Sequence, residues 1–232
     1  SNAGTVARND AVVVTTDGAG ATDGLLDLNS ITSDGFTLIV DDVTPANITV
    51  FWEAWGGSDI TNVTVGDITE SGATGNVAYS AIGFIAGATD QVVMMAGVQS
   101  VAAINTASAE ASGMYVGFAA GTTTADNIVV GGSADDASTT MDTDGWGRAG
   151  DINSMVILAG AATLTTRASL NAFTTDNFQL NWAEISSTAR KSIYMAIKGG
   201  KWASGSYTIA GNSASANTTV SGLPFTPIGL LL

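Results

Sequence analysis

Asp34-Gly35-Phe36-Thr37-Leu38-Ile39-Val40 recurs as Asp176-Asn177-Phe178-Gln179-Leu180-Asn181-Trp182, and the recurrence decides how the rest of the chain is read. Both copies read as strands, being short runs of β-branched and aromatic residues bounded by turn residues. About ten residues later each copy enters a second apolar segment, Val50-Phe51-Trp52-Glu53-Ala54 in the first and Ile193-Tyr194-Met195-Ala196-Ile197 in the second, and each closes on Gly-Gly. The offset is 142 residues for the first pair of segments and 143 for the second, a change that falls in the connecting loop, where an insertion costs little.

A repeat constrains the architecture before any single element does. Weaker echoes extend the match outward. Gly66-Asp67-Ile68-Thr69 resembles Gly205-Ser206-Tyr207-Thr208, and Ile82-Gly83-Phe84 followed by Val92-Val93-Met94-Met95 resembles Ser221-Gly222-Leu223 followed by Gly229-Leu230-Leu231-Leu232. Ala11-Val12-Val13-Val14 resembles Asn127-Ile128-Val129-Val130. The chain therefore reads as one whole unit, residues 58–200, flanked by two parts of another, residues 4–57 and 201–232. A part-unit leaves open strand edges and an uncovered apolar face. The two end segments are expected to complete one unit, either within one chain or by strand exchange with a neighbouring subunit. Ile228-Gly229-Leu230-Leu231-Leu232 is expected to form a central or well-covered strand, because burying each large aliphatic side chain is worth roughly 1.5–3 kcal/mol.

Composition agrees with sheets and turns. Ala, Thr, Gly and Ser together make up 115 of the 232 residues. Short runs of β-branched and aromatic residues, separated by Gly, Asn, Asp and Ser clusters, recur along the chain and predict strands that include Gly35–Val40, Ile48–Trp55, Asn62–Thr69, Val92–Ala96, Met114–Ala119 and Phe178–Trp182. Val98–Ala111 reads as a loop or one short helix. The expected fold is all-β, with two related antiparallel, jelly-roll-like β-sandwich units. Ser1-Asn2-Ala3 reads as the remnant of a cleaved expression tag, and no signal peptide or bilayer-spanning run follows it.

Charge and missing residue types narrow the function. Without Cys or His the chain has no disulfide, thiolate metal site or imidazole base, which removes the commonest catalytic groups. Seven basic residues against 21 acidic ones give a net charge of −14, and no basic residue lies between Arg8 and Arg148. Such a surface repels phosphate backbones and anionic lipid, so neither nucleic acid nor a membrane is an expected partner. An acid-rich, lysine-poor surface suits an extracellular or saline setting.

Candidate sites are few. Asp142-Thr143-Asp144-Gly145 has the alternating carboxylates and turn glycine of a calcium loop, but its twelfth position is Asn153, and the same residues read first as an ordinary Asp-Gly turn. Asp142 and Asp144 are the candidate metal ligands; no other cofactor is expected. Trp146, in a Gly-rich loop between Asp144 and Arg148, is the candidate ligand-binding residue, since sugar rings stack on indole faces while neighbouring Asp and Asn bind hydroxyls. Trp52 and Trp182 read as packing, and Trp55 and Trp202 stay open between the two. Glu53 and Glu184 could pair as glycosidase carboxylates, but they lie in different units at positions that do not correspond, and solvent-facing positions explain both more simply. No enzymatic activity is expected. Arg190, Lys191, Lys198 and Lys201 form the one basic cluster, suited to contact the acidic face of a neighbouring copy or to keep a sheet edge soluble.

Gly222, Pro224, Phe225 and Pro227 before Leu230–Leu232, together with Asp176–Trp182, Tyr194, Ala196, Gly199 and Gly200, resemble the opening and close of a repeat found in phage-associated virion appendage proteins. That resemblance implies a structural protein of a virion, a fibre, spike or capsid-surface component, that is extracellular and works as a homo-oligomer or with other virion proteins. The alternative is a carbohydrate-binding module or adhesin, calcium-assisted through Asp142 and Asp144, with a glycan as partner. The first closing segment departs from the pattern, with Val40 in the aromatic position and Trp52 beside Phe51, and the Gly83-Phe84 turn lacks the prolines.

Overall fold

In the computed structural model the alternation at residues 177–184 is that of a strand against a core: Phe178, Leu180 and Trp182 are buried, while Gln179 and Asn181 stay partly exposed between them. The structure describes residues 5–7, 11–16, 21–52, 54–98, 106–108, 112–121, 126–134, 143–158, 162–186, 190–207 and 219–228. Its strands are β1 (Thr5–Ala7), β2 (Val13–Thr16), β3 (Thr22–Ile31), β4 (Phe36–Asp42), β5 (Ile60–Thr69), β6 (Gly75–Ser80), β7 (Gln91–Val98), β8 (Thr106–Ser108), β9 (Ser112–Ala120), β10 (Asn127–Ala134), β11 (Thr143–Ala149), β12 (Asn153–Leu158), β13 (Ala162–Thr174), β14 (Asn177–Glu184) and β15 (Lys191–Gly199). All pairings are antiparallel, and no helix long and apolar enough to cross a membrane occurs among the described residues. The chain is all-β.

Two sheets dominate. One has the order β11-β10-β9-β7-β15-β5 and the other β12-β13-β14-β6. Their facing side chains form one core: Ile68, Val93, Met95, Tyr115, Val129 and Tyr194 from the six-stranded sheet meet Leu170, Phe173, Phe178, Leu180 and Trp182 from the four-stranded one. Ring contacts knit it together, Phe178 lying 5.0 Å from Tyr194 and 5.5 Å from Tyr79 between centroids. The Trp182 Nε1–H donates to Tyr79 Oη at 3.0 Å, so the largest buried side chain keeps its polar atom satisfied.

Glycine makes room for those rings. A Cβ on Gly97 would lie 2.5 Å from Tyr115 Cε1, and one on Gly131 would lie 2.5 Å from Trp146 Cζ2. Gly97 and Gly131 are the register partners of Tyr115 on either side, so each aromatic ring lies over the bare backbone of a neighbouring strand. The high glycine content thus serves packing as well as turns.

The third sheet, β2-β3-β4, is the repeat made visible. Ile31 pairs with Phe36, Leu28 with Leu38 and Leu26 with Val40; 142 positions later Phe173 pairs with Phe178, Leu170 with Leu180 and Ala168 with Trp182. The ladder slips between Leu28 and Ser30 and again between Leu25 and Leu26, and it slips at the equivalent places, Leu170/Ala172 and Arg167/Ala168. A further slip at Thr15/Thr16 of β2 is matched by one at Met155/Val156 of β12. Bulges re-aim side chains and are specific features of a strand pair, so three shared bulges make β2-β3-β4 a second copy of β12-β13-β14.

Several expectations need correction. β2 corresponds to β12, so Ala11–Val14 does not correspond to Asn127–Val130, which lies in β10. No strand forms at Ile48–Trp55 among the described residues; Trp52 instead meets Phe36 edge-on at 5.3 Å, as Tyr194 meets Phe178. Val98 ends a strand and Thr106–Ser108 is a strand paired with β1, while 99–105 and 109–111 lie outside the described residues. Ile228 is fully exposed, and 229–232 lie outside the described residues. The described residues of 201–232 form no strand in the single chain.

Candidate functional site

Two features of the larger sheets concentrate chemistry, one between the sheets and one on the outside. Between them lies a polar layer in an otherwise apolar core. Asn153 Nδ2 donates to Tyr115 Oη at 2.6 Å, and the Tyr115 hydroxyl lies 2.6 Å from Ser192 Oγ. Thr166 Oγ1 donates to Glu70 Oε1 at 3.3 Å, while Arg190 Nη1 lies 3.9 Å from Glu70 Oε2 and donates to Thr165 Oγ1 at 3.3 Å. The Glu70 N–H also donates to the Arg190 carbonyl, fixing both residues beyond the ends of β5 and β15. Burial pushes the Glu70 carboxyl above its ordinary range, with Arg190 only partly opposing the rise; burial likewise lowers Arg190 and raises Tyr115. Where Glu70 and Arg190 push in opposite directions, desolvation outweighs the ion pair because 3.9 Å is too long for a charge-assisted hydrogen bond. Glu70, Asn153 and Ser192 are nearly sealed from solvent, so the layer pins the register of the two sheets to each other.

On the outside, the six-stranded sheet is apolar on its second face too. Val65, Met195, Met94, Phe118 and Ile128 are successive register partners across five strands, and Ile193, Ala96, Val116 and Val130 form the adjacent row. Val65 is 72% exposed and Val130 58%. At one end the face is partly covered, Trp202 packing, with Ile60, Met94 and Met195, against a buried cluster of Val92, Ala120 and Ile197. Trp202 is held by its Nε1–H donating to the Gly199 carbonyl at 2.6 Å, and Trp55 lies edge-on to it at 6.3 Å. Antiparallel sheets with one solvated face alternate apolar and polar residues. Here the alternation is lost over the middle strands, which leaves a contiguous apolar surface.

The residues singled out from sequence fall in different places. Trp146 is not in a loop but in β11, opposite Gly131, half-buried against the main core, with its Nε1 buried and without a hydrogen-bond partner. Asp144 pairs with Ser133 in the same strand, while Asp142 lies outside the described residues. Among the described residues no group of three or more acidic side chains converges as a metal site would need. Glu184 is paired with Arg167 at 3.2 Å, and Glu53 lies outside the described residues. The basic cluster is not one surface: Arg190 is buried against Glu70, and Lys191 is paired with Asp67 at 3.0 Å. Glu70 and the outer apolar rows carried no local sequence signal, because both arise from pairings between distant strands. Comparison with known proteins places no relative beside the chain: no family model, curated protein or solved structure matches it.

Proposed function

We propose that this chain is a structural subunit that works by self-assembly, in the setting of a virion surface as a fibre, spike or capsid-surface component. The observation that carries the reading is the six-stranded sheet with two apolar faces, one sealed in the core and one bearing Val65, Ile193, Val116 and Val130 in solvent. Contiguous apolar surface of this kind marks an interface in a soluble protein. The virion setting rests on the resemblance of the repeat, and the three shared bulges support duplication as its origin. In this reading the first unit, once completed, is a second jelly-roll-like sandwich of the same kind, and a homo-oligomer outside the cell is the working form. Light scattering across a hundredfold concentration range tests it: mass is expected to rise with concentration, and Val65→Glu with Val130→Glu is expected to weaken the rise at least tenfold. A strict single-chain mass throughout would overturn the reading.

A second reading, glycan binding, is favoured by the Trp55–Trp202 pair, where one indole is 40% exposed beside another held rigidly. Quenching of tryptophan fluorescence by a panel of oligosaccharides, lost in Trp55→Ala, is the expected signature, and an unchanged spectrum with every sugar removes it.

A further inference from the structure

One contact of the larger unit is missing from the smaller. In the larger one, the turn after β6 plugs the end of the β13–β14 hairpin: Ala81 N–H donates to the Asp176 carbonyl at 2.9 Å, Asp176 N–H to the Phe84 carbonyl at 3.0 Å, and Gly83 N–H to Asp176 Oδ1 at 2.7 Å. Phe84 then stands perpendicular to Phe173 at 5.2 Å, and both are sealed from solvent. The plug needs Gly83 in the left-handed region, at φ 83°.

Both parts of that contact exist again and are apart. Val220-Ser221-Gly222-Leu223 repeats Ala81-Ile82-Gly83-Phe84, and Gly222 holds φ 86° although nothing lies within 4 Å of where its Cβ would be. The seat repeats as the β3–β4 hairpin end, with Asp34 at the place of Asp176 and Ile31 at that of Phe173. In the single chain the plug is in solvent, Val220 59% and Leu223 39% exposed, and so is the seat, Ile31 77% exposed where Phe173 is 2%. The root of the C-terminal arm is tied to the larger sandwich by Trp202 on Gly199 and by Ser204 Oγ donating to the Asp126 carbonyl. Charge within the arm does not oppose the union: residues 9–57 hold eight acids and no base, whereas residues 201–232 hold no acid at all.

We infer that the turn Val220–Leu223 of one copy docks on the β3–β4 hairpin end of a second copy, with Gly222 N–H donating to the Asp34 carboxylate and Leu223 packing on Ile31. The contact is head-to-tail, so every copy keeps a free seat at one end and a free plug at the other, and copies add in a row. It rests on the self-assembly reading above and names the joint. The test uses full-length Leu223→Asp, which spoils the plug, and Ile31→Asp, which spoils the seat, each in the Val65→Glu, Val130→Glu background that disables the outer face. Because both side chains are exposed in the single chain, circular dichroism is expected to stay unchanged. In sedimentation velocity each variant alone is expected to lose at least tenfold in association constant, while an equimolar mixture forms a dimer that does not grow, since one plug–seat pair survives in it. If the mixture stays monomeric, or if both variants associate like their parent, the joint is refuted while assembly through the outer face stands. If the parent is monomeric and Leu223→Asp lowers its melting temperature, the plug seats within its own chain and the joint between copies is refuted.

Discussion

At the scale of single residues, the packing of rings over glycines makes a sharp contrast. Gly97→Ala is expected to cost about 1–3 kcal/mol, because the new Cβ meets the Tyr115 ring and the Ser192 hydroxyl, both held in the core. Gly145→Ala, whose nearest neighbour would be a carbonyl oxygen at 3.9 Å, is expected to stay within about 0.5 kcal/mol of the parent in thermal denaturation. Equal losses would mean that backbone freedom, not the ring, sets the need for glycine. Glu70 makes a second residue-scale case. Its folded pKa is raised above 4.5, so the folded chain keeps a proton that the unfolded chain has released. The contribution of Glu70 to stability is therefore complete below about pH 4.5 and is lost as pH rises through the folded value. Glu70→Gln removes that titration and keeps the neutral form that burial favours beside Arg190. The variant is expected to be at least as stable as the parent near neutrality, with a flatter melting-temperature profile above pH 4.5. A profile parallel to that of the parent would assign the pH dependence to another group. None of this was readable in advance, since Glu70 and Arg190 are 120 positions apart and meet only through the β5–β15 pairing.

At the scale of elements, the β13–β14 turn shows how one residue joins two strands to a third segment. Asp176 takes a positive φ of 57° and accepts the Gly83 N–H, a conformation that Asp and Asn tolerate better than other side chains. Asp176→Ala is expected to cost about 1–3 kcal/mol through the lost acceptor and the strained backbone, and Asp176→Asn much less. Asp34→Ala, at the undocked equivalent, is expected to be nearly silent in a dilute single chain. A like cost at both sites would show that the first hairpin end is already plugged. This turn also marks what could be read from sequence. The Phe-x-Leu alternation at β4 and β14 was legible because it reflects local geometry, the pleat itself. Ile48–Trp55 has equal β propensity and forms no strand among its described residues, because propensity becomes a strand only when a partner edge is present. Ala11–Val14 resembles Asn127–Val130 yet corresponds to β12 for a related reason: short Val-rich runs look alike, and only the bulge positions, set by pairing, tell β10 from β12.

At the scale of the whole molecule, apolar faces draw copies together and charge holds them apart. With a net charge of −14 and hardly a base to offset it over the first 147 residues, two approaching copies repel over roughly a Debye length, about 10 Å at 0.1 M salt and 30 Å at 0.01 M. The rows that are proposed to pair, Val65 to Ile128 and Ile193 to Val130, are apolar, and the charged partner at the edge of the second, Asp67 beside Ile193, is already paired with Lys191 of its own chain. Adding salt therefore screens repulsion without weakening the attraction, and it does the same at the acid-free plug. Self-association is expected to tighten by about tenfold or more between 0.02 and 0.5 M sodium chloride, measured by sedimentation velocity at fixed pH. Assembly driven by ion pairs, with the basic cluster of one copy on the acidic face of the next, has the opposite sign. Arg190 and Lys191 are already engaged within their own chain, which leaves Lys198 and Lys201 of the basic cluster for that mode, and a weakening with salt would overturn both apolar joints at once.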